Sequence, residues 1–395
     1  MILRKRVAIA VMLGTVISGF KAYAEIPGLA PENHWDLNGY VKYMATGTIV
    51  DHQDNTLDHL VHQRFNYEYR FNSHFRVNVG MRNRVIIGDS LSAPFYSQII
   101  ELDNGYFDLS SNLIDNDNLI LNSQLDRLYL DWKSDGWNIR GGRFRINWAM
   151  NTVWNPNDIY NAYSIYDFDY EERPGSDAIS ISKKLGFASS IDLVYSPSKD
   201  SNLDRYSARY LFNIEGWDIQ ALAGKAGLDY VIGTGFAGDV YGAGLRGELT
   251  WLDPWMDQYK GQTFKKTFVS SIETDYSFGG KRNWLARASL LYIGEPQPVS
   301  DAVLYLTLPL TARTLSFTTY TGYADVSFDV TPLSKVTFSG SYYQDNSFFV
   351  GLSNSYSLAD DWQLLTVLQR FDGATGSLFG QTPSTLLFAN IKWAF

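Results

Sequence analysis

The two ends of the chain restrict its fold more than any internal motif does. Arg4, Lys5 and Arg6 precede an apolar run from Val7 to Phe20, and Ala22-Tyr23-Ala24 fits a small-x-small cleavage site. A membrane-anchoring helix is the alternative, but the run is short for a full span and Lys21 interrupts its end. The opposite end is an alternating strand, Leu386-Leu387-Phe388-Ala389-Asn390-Ile391-Lys392-Trp393-Ala394-Phe395. Between them, no stretch approaches the roughly 18 to 20 apolar residues that a transmembrane helix needs. An exported membrane protein without such helices must be a closed barrel, because only helices and closed barrels satisfy every backbone group in hydrocarbon. The expected organisation is a signal peptide over 1–24, a short periplasmic segment over 25–34, and an all-β transmembrane antiparallel barrel over 35–395.

Composition agrees. There is no cysteine, so disulfides, thiolate nucleophiles and Cys-based metal sites are excluded. The 26 Tyr, 23 Phe and 11 Trp supply the residues of interfacial girdles. The formal charge is −9, and the leader carries four cations and no acid, so the mature chain stands at −13. That excess opposes nucleic-acid binding.

The alternation is clearest from His62 to Phe71 and from Phe75 to Ile87. Phe65, Tyr67, Tyr69 and Phe71 share one face, and His62, Arg64, Asn66, Glu68 and Arg70 the other. The pattern recurs with tight turns at Asn72-Ser73-His74, Ser134-Asp135-Gly136, Gly216, Ser277 to Lys281, Thr331 to Ser334 and Ala359 to Asp361. Longer connections lie near 88–122, 149–176 and 294–313, and short turns opposite long loops are the outer-membrane arrangement. The expected count is about 18 strands. It depends on dividing Trp217 to Trp251 into three strands, with Gly238-Asp239-Val240 as a turn.

Parity points Arg64, Arg70, Arg76, Arg82, Arg84 and Arg127 into the lumen. A bulge at Gly141-Gly142 is expected to reset the phase, so that Arg143, Arg145 and Asn147 point inward and Phe144, Ile146 and Trp148 outward. Arg205, Arg209 and Arg246 complete a basic lining. Guanidinium groups are always charged and bind carboxylate, phosphate or sulfate. The alternative is a lumen laced with salt bridges to Glu68, Asp126, Asp131, Asp192 and Glu215. All five histidines, His34, His52, His59, His62 and His74, precede residue 75. His59 and His62 diverge on a strand, so no metal site is expected. No Gly-x-Ser-x-Gly elbow, phosphate loop or His-Glu-x-x-His is present, and neither a catalytic centre nor a cofactor is expected.

With these features the chain resembles Gram-negative porins and substrate channels, in particular the 18-stranded alginate-export and OprD-like type. Gly142 to Trp148 followed by Val153-Trp154-Asn155-Pro156-Asn157-Asp158 is similar to a strand-then-loop signature of porin-like proteins. The resemblance implies that Phe395 addresses the chain to the barrel-assembly machinery, and that outer-membrane lipid and lipopolysaccharide surround the barrel. It also implies that the loop over about 149–176 folds inward. Asp167, Asp169, Glu171 and Glu172 would then oppose the arginines, and Asp158, Tyr163 and Tyr166 would join the pore lining. Tyr160, Tyr163, Tyr166, Phe168 and Tyr170 could stack on sugar or aromatic solutes, or pack the loop to the wall. The expected function is passive diffusion of small hydrophilic solutes, anionic or polar. An exporter of an anionic polysaccharide and an outer-membrane hydrolase are the alternatives.

Overall fold

The computed structural model describes residues 33–167, 173–307 and 310–395. The expected signal peptide lies outside them. Eighteen antiparallel strands close into a barrel. In chain order they are β1 (Trp35–Val50), β2 (Thr56–Arg70), β3 (Phe75–Gly88), β4 (Leu119–Ser134), β5 (Trp137–Phe144) and β6 (Ser176–Lys184). There follow β7 (Ser190–Ser196), β8 (Arg205–Ile214), β9 (Trp217–Ala226), β10 (Asp229–Val240), β11 (Ala243–Pro254) and β12 (Thr267–Gly279). The ring ends with β13 (Trp284–Ile293), β14 (Tyr320–Thr331), β15 (Ser334–Tyr343), β16 (Ser347–Ala359), β17 (Trp362–Gly373) and β18 (Ser384–Ala394). Among the described residues the three α-helices, α1 (Tyr96–Glu101), α2 (Ala302–Thr307) and α3 (Leu378–Gln381), are too short to cross a membrane.

Closure is by β1 on β18, from Tyr40 opposite Ala394 to Val50 opposite Ser384. Phe395 extends that ladder, exchanging both backbone bonds with Gly39 at 3.0 Å. Its ring meets Phe65 and Trp393. The side-chain rows follow the period of two. On the β2–β3 ladder His62 pairs with Arg84 and Arg64 with Arg82, and these face the lumen. The neighbouring row, with Val61, Tyr67 and Ile87, is exposed to the surroundings. Aromatic pairs gather near both rims, such as Trp284 with Phe328 at the turn side and Trp251 with Phe268 at the loop side.

Turn chemistry explains the tight side. Asp135-Gly136, Glu215-Gly216 and Tyr241-Gly242 all have positive φ at both residues. That is the two-residue hairpin geometry whose twist matches paired strands, and glycine carries the second position without strain. Trp217 to Trp251 does form three strands, but the turn is Tyr241-Gly242. Gly238, Asp239 and Val240 remain in the β10 ladder.

The expected bulge at Gly141-Gly142 is absent. β5 pairs in continuous register from Trp137 to Arg143 with β4 and from Trp137 to Phe144 with β6. Gly142 sits at φ +125, and a Cβ there would lie 2.2 Å from the Leu128 carbonyl oxygen. The glycine marks the bend where the chain is about to leave the wall. β5 ends at Phe144 rather than Trp148, and Phe144, Ile146 and Trp148 are buried in the lumenal core instead of facing outward.

Candidate functional site

The connection after Phe144 enters the barrel and crosses it. Two glutamates hold it against the far wall. Glu248 on β11 accepts backbone N–H groups from Met150, from Asn151 at 2.9 Å and from Asn157 at 2.8 Å. Glu273 on β12 accepts Thr152 N–H and Val153 N–H at 2.9 and 2.8 Å, and the Thr152 hydroxyl at 2.7 Å. A loop with no secondary structure of its own must place its backbone donors somewhere, and each carboxylate has about four lone-pair sites. Asn157 completes the clasp, donating to the Thr234 carbonyl and accepting from the Thr250 hydroxyl. Gly233 and Gly235 make room for it, since a Cβ at Gly233 would lie 2.4 Å from Asn157 Oδ1.

Further along, the loop turns to other strands. The Tyr160 hydroxyl meets Ser207 at 2.6 Å, and Arg205 donates to the Tyr160 carbonyl at 2.8 Å. The Tyr163 hydroxyl donates to the Thr152 carbonyl within the loop at 2.7 Å. Tyr166 is packed among Phe349, Phe371 and Tyr343, bonds the Tyr343 and Ser341 hydroxyls, and its carbonyl accepts from Gln369. Tyr160 and Tyr166 therefore pin the loop to the wall, and Tyr163 braces it internally. Arg127 donates to the Arg173 carbonyl where the loop returns to β6.

On the β5–β8 side the loop stands off from the wall. A cavity of about 170 Å³ remains there. Asn138, Arg140, Ser180, Ser182, Asp192 and Arg209 line it from the wall, and Arg145, Asn147 and Trp148 from the loop. Arg209 is paired with Asp192 at 2.7 Å and lies 5.3 Å from the Trp148 ring centre. Arg140 pairs with Asp131 at 3.3 Å. Arg145 differs from both, because its buried Nε has no hydrogen-bond partner among the described residues.

The arginines expected as one patch occupy separate environments. Arg64 is buried and pairs with Asp126 at 2.6 Å. Arg82 donates to Gln124, and Arg84 to Asn122 and the Ile100 carbonyl. With Lys42 they form a cationic wall on β1–β4, in which Lys42, Arg64, Arg82 and the neighbouring His62 are buried. Arg143 is not a pore residue. It shares the outward row of Leu128 and is buried in ion pairs with Asp103 and Asp177. Phe144 next to it points inward, so the pair is reversed from the expectation. Arg145 and Asn147 do border the cavity.

Of the loop acids, Asp167 is exposed, while Asp169, Glu171 and Glu172, with Phe168 and Tyr170, lie outside the described residues. Asp158 is 1 % exposed, so it does not line open space. Burial pushes its carboxyl up to about 6, opposed by the Asn161 N–H and by the nearby Arg145 and Arg173. Glu248 and Glu273 were missed. The signal is two inward acids on adjacent strands, with only Arg246 on their rows to balance Glu248, Glu273 and Asp275, and an asparagine-rich loop whose backbone N–H groups need acceptors.

No protein-family model matches the chain, and no curated protein matches it in sequence. Among solved structures the fold matches three Pseudomonas aeruginosa proteins. OpdQ has TM-score 0.59 at 7 % identity, covering 92 % of this chain and 99 % of its own. OccK5 (OpdH) has TM-score 0.58 at 7 % identity, with 91 % and 98 % covered. OccD3 (OpdP) has TM-score 0.53 at 9 % identity, with 91 % of each covered. This chain, a closed 18-stranded antiparallel barrel, shares their fold.

Proposed function

We propose that the chain is a channel of the Gram-negative outer membrane, through which small hydrophilic solutes, anionic or polar, diffuse passively. The observation that carries this is the cavity between the latched loop and the β5–β8 wall. Three guanidinium groups border it against one carboxylate, and Arg145 has hydrogen-bonding capacity to spare. Charge rings of this kind tune pores. The outward apolar rows, the two aromatic rims and the closed-barrel fold shared with those solved structures support an outer-membrane location. A barrel whose centre is crossed by a loop is built to admit solutes of limited size.

The test is conductance in planar bilayers with the purified barrel. Discrete ohmic steps are expected, with a reversal potential in a salt gradient displaced toward anions despite the mature charge of −13. Folded, inserted protein that never conducts would overturn the proposal. A cation-selective current unaffected by Arg145→Ala would leave the channel but remove the arginine cavity as its selective element.

A further inference from the structure

Three consecutive wall strands are unusually short. β5, β6 and β7 have 8, 9 and 7 residues. A transmembrane strand needs about 9–11 residues to cross the hydrocarbon. Seven residues at ~3.3 Å each, tilted about 40°, rise only roughly 18 Å against an apolar band of about 25 Å. The barrel wall would be low here if nothing stood above these strands.

The connection between β3 and β4 occupies that place. Ser110–Asn116 forms a short strand on β4, opposite residues 119–124, on the edge that β5 vacates when it ends at Phe144. Leu109 continues it, its carbonyl accepting the Leu125 N–H at 2.9 Å. Below, Arg143 fixes the segment to the top of β5 and β6. It bonds Asp103 at 2.6 Å, Asp177 through Nε and Nη2 at 2.8 and 2.7 Å, and the Phe107 carbonyl at 2.8 Å. Asp177 also accepts the Phe107 N–H at 3.0 Å. Gly105 lets the backbone come this close, since a Cβ there would lie 2.0 Å from Arg143 Nη2. Such a buried ion cluster makes sense at a joint between two pieces of wall.

This segment exposes four large apolar side chains, Tyr106, Phe107, Leu113 and Ile114, among the exposed polar Asn104, Asp108, Ser111, Asp115 and Asn116. Tyr106 lies within electrostatic range of Tyr195. Tyr195 belongs to the outward row that also holds Leu193, and Ile179 pairs with it across the ladder. The patch is therefore continuous with the lipid-facing belt. We propose that residues 103–116 complete the membrane wall above β5–β7 and present Tyr106, Phe107, Leu113 and Ile114 to outer-leaflet hydrocarbon. This rests on the membrane-barrel function proposed above.

The chain has no cysteine, so single-Cys variants can carry a fluorophore without background. Phe107→Cys, Ile179→Cys on the wall and Asp117→Cys at the hairpin tip are labelled with bimane. They are then reconstituted into phosphatidylcholine vesicles with nitroxide-bearing acyl chains. Phe107→Cys should lose as much fluorescence as Ile179→Cys, and Asp117→Cys should lose little. Ile114→Cys repeats the measurement should Phe107→Cys fail to assemble. If Ile179→Cys is quenched and neither loop variant is, the loop does not meet lipid and the proposal falls. If labelled Phe107→Cys is shielded and the unlabelled variant forms disulfide-linked dimers under an added oxidant, the patch joins two copies, and it falls likewise. If Ile179→Cys itself escapes quenching, the membrane reading fails before the patch is reached.

Discussion

The crossing loop meets two walls of opposite charge and treats them differently. On β10–β12 the inward groups under the loop are Gly233, Gly235, Glu248, Thr250, Ser271 and Glu273, with Arg246 and Asp275 continuing the rows toward the tight turns, and the loop lies directly on the first six. On β5–β8 they are Asn138, Arg140, Ser180, Ser182, Asp192 and Arg209, and the loop leaves a cavity. The difference follows from hydrogen-bond polarity. A carboxylate only accepts, and an irregular loop offers many N–H groups, so an acid wall can clasp it. A guanidinium only donates, and can hold such a loop only where a carbonyl turns outward, as Arg205 does at Tyr160. This wall holds the loop only near Tyr160 and leaves the cavity beside Arg140 and Arg209, which is the surface proposed to face solutes.

Removing the clasp should have the largest effect. Glu248→Ala with Glu273→Ala leaves several buried N–H groups unsatisfied, at about 1–3 kcal/mol each. Single-channel conductance should rise several-fold with added flicker. Unchanged conductance would show that the loop is held by its tyrosines instead.

Next come the two arginines on either side of Phe144. Arg143→Ala leaves Asp103 and Asp177 buried without their partner, a loss of about 3–5 kcal/mol. It should lower the temperature of the heat-modifiable gel shift without moving the reversal potential. Arg145→Ala should do the reverse, shifting the reversal potential toward cations at a stability change of about 0.5 kcal/mol or less. Equal behaviour of the two variants would erase the distinction between joint and cavity.

Asp158 gives the smallest effect. Its carboxyl ionises at about 6 in the fold and near 3.8 when unfolded. The unfolded chain thus releases its proton first as pH rises, and stability is lost between those values and stays lower above them. Asp158→Asn should raise the unfolding temperature by a few degrees at pH 8 and change little at pH 4.

Much of this architecture was legible in the chain because period-two rows report which side each residue faces. The β2–β3 faces, the three strands within Trp217 to Trp251 and the closing strand ending on Phe395 all follow from alternation and turn residues. Parity names a face but not what lies against it. Lys42 and Arg64 sit on the inward row and are nonetheless buried. Arg143 was misassigned for a different reason. The run Gly141-Gly142-Arg143-Phe144 admits either a bulge or an uninterrupted strand, and the choice rests on Asp103 and Asp177, distant in sequence. The clasp was hidden similarly, since backbone N–H groups leave no trace in residue identity.

The account rests on solutes passing beside β5–β8 and not beside β11–β12. The direct measurement is the single-channel current of Asn147→Cys and Ser271→Cys under an anionic methanethiosulfonate reagent. Asn147 is exposed at the cavity, and Ser271 is buried where its carbonyl accepts from Asn151 of the loop. Modification should reduce the current through Asn147→Cys and leave Ser271→Cys unchanged. Rapid block at Ser271→Cys with none at Asn147→Cys would place the passage on the acid wall and contradict the account.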